Sequence, residues 1–278
     1  MVVRKENSTV KIHFSEISSI IVETMQANIS AYLMSELCKS KISLAICDTK
    51  HSPIGELLPL YGSHNTSKKV REQYAWGSVT KKRTWQKIIE HKITLQSNLL
   101  LMKGFESEAK SLASFASNIH SGDSTNMEAC ASRIYFKALF GNSFTRGSDC
   151  ELNYMLNYGY AILLALTNRE IVSRGYITQI GIFHRNSYNQ YNLSCDFMEP
   201  FRPILDEEVL RLTDEGFNQN TRYKLANVAN LKVAYMEGRY RLSSVLSQYI
   251  NSCLKCLNKE ISVNEIYGFE SYESLYTD

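Results

Sequence analysis

No stretch of this 278-residue sequence approaches the roughly 18 to 20 consecutive apolar residues that a membrane-spanning helix needs. Nor does an apolar signal core follow Met1-Val-Val-Arg-Lys-Glu6,. A membrane partner is excluded on this reading, and the default compartment is the cytoplasm. Cysteine is present without order: the seven, at 38, 47, 130, 150, 195, 253 and 256, are an odd number in apolar surroundings, in a chain far longer than small disulfide scaffolds. They read as reduced thiols. Cys253-Leu-Lys-Cys256 has CxxC spacing but no second pair, and in a helical pattern its thiols share a packing face. A strong overall charge is also lacking, with a net of +3.

The charge is unevenly spread. Between His64 and Lys103, nine Lys or Arg (68, 69, 71, 81, 82, 83, 87, 92 and 103) stand against two acids (72 and 90), a local balance of +7. Interleaved with Tyr74, Trp76 and Trp85, this is the footprint expected of a phosphate-backbone binder; a solvated helix face is the alternative.

Proline is scarce, and two of the four, Pro53 and Pro59, fall with Gly55 and Gly62 in one short stretch that marks a boundary,. Before it the chain reads as sheet. Val10–Phe14 alternates in period 2, Ser19–Thr24 is β-branched and Ile42–Cys47 is a buried-strand run, with a helix around 29–40 between the last two,. After it, helical periodicity covers 79–102, 105–119, 126–140, 149–174, 193–213, 221–236 and 239–257. Gly104, Gly141, Gly175 and Gly216 fall just past helix ends, as C′ glycines do, whereas Gly181 suits a short extended connection. The expected fold is α+β: a small N-terminal β domain over 1–62, a linker over 63–78 and a larger all-α domain over 79–278. From Leu257 to Asp278 five acids face one Lys among Tyr267, Phe269, Tyr272 and Tyr276, a tail either loosely ordered or docked on a partner.

The chemistry-bearing segment runs from Thr178 to Pro203. One imidazole, His184, is followed by a polar loop and then a helix start that sets Asp196 and Glu199 three residues apart, on one face. With Glu128 upstream this is an oxygen-rich set with one nitrogen. It suits Mg²⁺ or Mn²⁺ better than zinc, whose structural sites favour sulfur and nitrogen in closed tetrahedra. Each residue also has an ordinary explanation. Thr125-Asn-Met-Glu128 is a capping-box pattern, Asp196 is a first-turn acid after an Asn192 cap, and His184 is a loop histidine with a bonded ring.

Four blocks, Met127–Phe136, Leu156–Leu163, Gly175–His184 and Asp196–Pro203, together with Ile12–Ile17 and Leu58-Pro-Leu-Tyr-Gly62, resemble the signature blocks of the CRISPR-associated integrase, the catalytic subunit of the spacer-acquisition complex. They cover nearly the whole chain, and the resemblance is closest to the branch beside an RNA-guided single-protein effector nuclease, subtype II-A. It implies an N-terminal β domain and a helical catalytic domain, with Glu128, His184 and Glu199 as catalytic metal ligands and Asp196 as a supporting acid. Arg133, Tyr158, Asn192 and Arg202 sit in or beside the same blocks as candidate supports. Relatives begin with a further strand and hairpin, so the β domain here is expected to be shortened at its start.

By the same resemblance, the 3′-hydroxyl of a short duplex attacks a phosphodiester at the end of a CRISPR repeat and displaces another 3′-hydroxyl. This transesterification needs no covalent protein nucleophile, only a Lewis acid, support for both oxygens and in-line positioning. Hydrolysis at branched DNA would use the same atoms. Lys68, Lys69, Arg71, Lys81, Lys82 and Arg83 are the candidate DNA contacts. Implied partners are double-stranded DNA with 3′ ends, repeat DNA, a second copy in a homodimer, a small ferredoxin-like subunit completing a heterohexamer, a ring-forming DNA-end protein and the effector nuclease. A catalytically silent assembly subunit and a stand-alone branched-DNA endonuclease are the alternatives.

Overall fold

A computed structural model describes residues 1–5, 8–49, 51, 53–60 and 62–268. Tyr61 and the tail residues Phe269, Tyr272 and Tyr276 lie outside the described residues. At the N-terminus β1 (Val2–Lys5) and β2 (Ser8–Lys11) pair antiparallel. The strand expected over 10–14 stops at Lys11 because a 3₁₀ turn at Phe14–Glu16 follows, with His13 Nδ1 accepting from Ser15 N. All four β2 residues are exposed, so the alternation there encodes no buried face.

A second sheet sets β3 (Ser19–Val22) parallel to β4 (Ser43–Cys47) and β5 (Pro53–Leu57) antiparallel to β4. A parallel pair cannot be joined by a tight turn, and α1 (Ala31–Lys39) supplies the crossover. Ser30 Oγ caps it by accepting from Leu33 N at 3.2 Å,. Leu37, Ile42 and Leu44 form the small core beneath it.

Helix α2 (Thr66–Tyr74) occupies much of the stretch read as linker. Helix α3 (Ser78–Met102) is the centre of the helical part, touching α4 (Glu106–Ser117), α5 (Met127–Phe140), α7 (Asn192–Met198), α8 (Arg202–Leu212) and α10 (Leu242–Leu257). A helix so surrounded buries residues on nearly every side, and α3 does so from Thr84 to Leu100. Helix α6 (Glu151–Ser173) is the other long one and stands between layers. It meets β4 and β5 on one side and α7, α8 and α10 on the other.

The four glycines expected past helix ends all have positive φ: Gly104 +84°, Gly141 +94°, Gly175 +84° and Gly216 +70°. Three helices read from periodicity are corrected. The 193–213 segment breaks at a 3₁₀ turn, Glu199–Phe201, where Pro200 and Pro203 withhold backbone N–H groups from the ladder,. The ends of 221–236 and 239–257 meet instead in a hairpin: α9 (Gln219–Ala226) stops early, and β6 (Lys232–Tyr235) pairs with β7 (Gly238–Arg241). Val233 and Tyr235 are buried there, a period-2 alternation that propensity alone obscured,. The larger part is therefore helical with one small hairpin rather than all-α.

Candidate active site

Glu128 lies in the first turn of α5. The capping-box reading of Thr125–Glu128 does not hold, since Asn126, the N-cap, makes no side-chain cap bond. Asp123 caps the helix instead, its two oxygens accepting from Met127 N at 2.8 Å and Glu128 N at 3.1 Å. The Glu128 side chain is thereby free for other work. Its Oε1 accepts from Ser132 Oγ at 3.0 Å and from Lys92 Nζ at 2.5 Å.

Lys92, from the middle of α3, has a side chain only 7% exposed and reaches a second carboxylate, Glu199 Oε2, at 2.6 Å. That contact is an ion pair without hydrogen-bond alignment. Glu199 is held from its other oxygen by Arg202 Nη2 at 3.0 Å. Burial works to raise the Glu199 pKa, but Arg202 and then Lys92 outweigh it and hold the carboxyl below its ordinary value,. Burial likewise disfavours a charged Lys92, and Glu199 and then Glu128 overturn that and raise its pKa.

His184 is fixed by Asp196. The Asp196 carboxylate, fully buried in α7, accepts from Ile182 N at 2.7 Å, Phe183 N at 3.2 Å, His184 N at 3.1 Å and His184 Nδ1 at 2.7 Å. That cage leaves no room for a side chain at 181: a Cβ on Gly181 would lie 2.5 Å from the His184 carbonyl oxygen and 2.7 Å from Asp196 Oδ2. The hydrogen bond that His184 donates to Asp196 raises the His184 pKa against desolvation, with Glu199 adding to it. Because the bond uses Nδ1, Nε2 is the nitrogen left to a ligand. Asn192 ties the same loop, its Nδ2 donating to the carbonyls of Gln179, Asn186 and Asn189. Gln73, in α2, donates to those of Ile177 and Ile180. Trp85 braces the loop from α3, stacking on Phe183 at 4.2 Å and meeting His184 edge-on at 5.8 Å.

Glu128, Glu199 and Arg202 line an open cleft of about 540 Å³, together with Arg133, Lys137 and Arg146. Behind them Asp206 accepts from Tyr135 at 3.0 Å and from Tyr160, and Tyr160 packs under Arg202 at 4.7 Å. Tyr158 is not part of this set. It donates to Glu23 Oε1 at 2.5 Å, and Arg222 Nε joins the same oxygen at 3.3 Å, on the side of α6 that faces the N-terminal sheet. Residues two apart on a helix point about 200° apart, so Tyr160 takes the place expected for Tyr158.

The basic stretch divides. Arg71, Lys82 and Arg83 are exposed and have no ion pair among the described residues. Lys81 is half-buried beside His184 and Arg185, where desolvation and then Arg185 lower its pKa. Lys68 and Lys69 pair with Glu72 at 3.8 and 3.0 Å, Lys87 with Glu90 and Lys103 with Glu207. The local +7 is thus partly cancelled in place. Trp76 and Trp85 are buried and cannot stack on a ligand, whereas Tyr74 is 81% exposed. Sequence reasoning missed Lys92, Tyr160 and Asp206. A signal for Lys92 existed, because it continues the buried stripe of Trp85, Ile88 and Ile89 on α3,.

Among the described residues no three His, Cys, Asp or Glu side chains stand together as a ready-made metal site. The donor chemistry still fits a divalent cation: two carboxylates from different elements converge on one cationic point, and a carboxylate-oriented imidazole lies close enough to Glu199 to feel its charge,. The point is taken by the Lys92 ammonium. No helix among the described residues is long and apolar enough to cross a membrane.

A profile of the family described as CRISPR associated protein Cas1 matches residues 1–237. The CRISPR-associated endonuclease Cas1 of Neisseria meningitidis serogroup C (strain 8013) is 35% identical over 216 residues, 78% of this chain and 71% of the relative. CRISPR-associated endonuclease Cas1 2 of Pyrobaculum aerophilum is 27% identical over 260 residues, 88% of this chain and 84% of the relative. Among solved structures, a casposase bound to integration product superposes with a TM-score of 0.74 at 19% identity, over 93% of this chain and 84% of its own. A chain of a Cas6-RT-Cas1--Cas2 complex gives 0.74 at 17% identity, over 98% of this chain and 34% of its own. At such identities the two structures speak to the fold.

Proposed function

The chain belongs to the family of CRISPR-associated protein Cas1, and from that premise we propose that it is a metal-dependent DNA endonuclease and integrase of CRISPR adaptation, joining short duplexes to the repeat array. The observation that carries the reading is the corner where Glu128 and Glu199, from separate elements, meet at one cation beside a clamped imidazole. The partners on this reading are a Cas2-like small subunit and a second copy of this chain; the Cas6-RT-Cas1--Cas2 complex among the solved structures supports the first. The finer subtype II-A assignment, with an effector nuclease and a ring-forming DNA-end protein alongside, rests on the sequence blocks.

In the proposed reaction the 3′-oxygen of the incoming strand forms a bond to phosphorus while the 3′-oxygen of the repeat strand leaves, and the proton lost by the first passes to the second. Mg²⁺ or Mn²⁺ held by Glu128, Glu199 and His184 Nε2 would supply the Lewis acidity. The residues do the rest. Asp196 fixes the ring of His184 so that Nε2 is presented without rotation. Arg202 keeps Glu199 anionic in a buried place. Arg133, Lys137 and Arg146 give the cleft positive charge for phosphates, and Lys81 and Arg185 line a second cleft together with the histidine. No serine, cysteine or tyrosine is required to carry the DNA.

The test is strand transfer of a short duplex with free 3′-hydroxyl ends into supercoiled DNA bearing a leader and repeat, with the small subunit and with Mn²⁺ or EDTA. Joining that requires metal and disappears in His184→Ala supports the reading. The lysine between the two glutamates favours one rival, an assembly subunit without catalysis. Intact DNA binding with no joining by the wild-type complex would establish that rival.

A further inference from the structure

Two features of α3 remain unexplained by the reaction. The Lys92 ammonium sits 2.5 Å from Glu128 Oε1 and 2.6 Å from Glu199 Oε2. One helical turn further on, Gln96 lines the same cleft, is 1% exposed, and its Oε1 accepts no hydrogen bond among the described residues. Residues four apart share a helix face, so a buried cation and a buried, unsatisfied acceptor are neighbours in one cleft. Leaving such an acceptor unpaired is costly.

The slot between the glutamates holds one cation. Its two oxygens are at most about 5 Å apart, and Mg²⁺ at about 2.0 to 2.1 Å from each of its ligands would span nearly the same gap. A second positive charge within that gap would meet the first at under about 3 Å, in surroundings that screen poorly. The corner is also electrically complete, with Lys92 and Arg202 set against Glu128 and Glu199.

We propose that Lys92 is a two-position counter-cation: it fills the metal slot between Glu128 and Glu199, and a divalent cation enters only by displacing its ammonium along α3 toward Gln96 Oε1 and the phosphate-binding cleft. The inference rests on the metal-dependent reading above. Lys92 then sets how tightly the protein takes up metal, and DNA phosphates that stabilise the displaced ammonium tighten metal binding.

The experiment is calorimetric titration of Mn²⁺ into wild type, Lys92→Met, Gln96→Leu, Glu128→Gln and the Lys92→Met/Gln96→Leu pair, without DNA and with a short duplex in EDTA-free buffer. Lys92→Met should bind Mn²⁺ at least tenfold tighter than wild type. Gln96→Leu should bind several-fold weaker, an effect absent when Lys92 is already Met, and the duplex should tighten wild type more than Lys92→Met. Equal or weaker binding by Lys92→Met, while wild type shows Mn²⁺ binding that Glu128→Gln removes, would overturn the inference and leave the metal reading standing. No Mn²⁺ binding by any form would overturn both. Should Lys92→Met fail to fold, wild type labelled with ¹³Cε-lysine and titrated with Mg²⁺ decides: the Lys92 resonance moves as the metal saturates, or the ammonium has not left and the proposal fails.

Discussion

Helix α6 separates two regions that use buried carboxylates in opposite ways. On the sheet side, Glu56 faces an amide, accepting from Asn168 Nδ2 at 2.7 Å, and burial drives its pKa up to about 7 despite that bond. On the cleft side, Glu199 is buried at least as deeply, yet Arg202 and Lys92 hold its pKa below the ordinary value. Burial by itself favours the neutral carboxyl, and nearby cations oppose it in favour of the charged form. A ligand for a divalent cation must stay charged, so electrical company is what sets the candidate ligand Glu199 apart from Glu56. Asp206 occupies the boundary: it lines the cleft, but its partners are the tyrosine hydroxyls of residues 135 and 160, and burial raises its pKa to about 6.

The largest expected effect breaks the cleft side. Glu199→Gln removes a candidate ligand and leaves Lys92 and Arg202 with half their anionic partners, so metal-dependent joining should fall beyond the roughly 10- to 100-fold attached to outer-sphere groups. Glu56→Gln, of the same chemistry and on the opposite face of α6, should leave joining unchanged within error. Equal losses in the strand-transfer assay would end the distinction between the two regions. Next comes Asp196→Asn, which keeps the shape but weakens the cage on Ile182, Phe183 and His184. A drop of about 10- to 100-fold in metal affinity or joining is expected, read by the same titration and assay with the circular-dichroism spectrum unchanged.

The sequence made one side of this comparison visible and hid the other. Helix positions followed from periodicity because α3, α5, α6 and α10 each bury apolar residues against neighbours. The blocks carrying Glu128, His184 and Glu199 likewise stood out in the chain. The hairpin over 232–241 was hidden because each strand is only four residues long and abuts helical pattern, too short for a period of 2 to beat one of 3.6. Lys92 was counted among surface cations because charge is read from composition, whereas its burial comes from α5 and the 199–201 turn folding over it. Tyr158 and Tyr160 could not be told apart, since α6 is apolar on both faces and no stripe marks the cleft side.

The two tyrosines sharpen the comparison with smaller numbers. Tyr158→Phe removes one hydrogen bond to Glu23 and should cost about 1 kcal/mol of stability, measured by denaturant unfolding. Tyr160→Phe should show a similar stability cost and in addition lower joining, because Tyr160 both donates to Asp206 and carries the Arg202 guanidinium on its ring. Loss of joining in Tyr158→Phe with none in Tyr160→Phe would reverse the placement of the two residues.

The smallest effect is a pH dependence on the sheet side. Glu56 titrates near 7 in the fold and in the ordinary glutamate range, near 4.3, when the chain is unfolded,. The folded state therefore binds the proton more tightly, and the stability this contributes is fully present below the unfolded pKa and lost as pH rises through about 7. Wild type should melt at a lower temperature at about pH 8 than at about pH 5, and Glu56→Gln should show a smaller difference. Some slope will remain in the variant, because Glu208, pushed up to about 7 by burial, and Asp206, near 6, lose protons over the same range with the same sign. Glu199 adds nothing of that sign, since its pKa is held low. A Glu56→Gln slope as steep as wild type would mean that Glu56 is already ionised in the fold, and the contrast across α6 would then rest on the cleft alone.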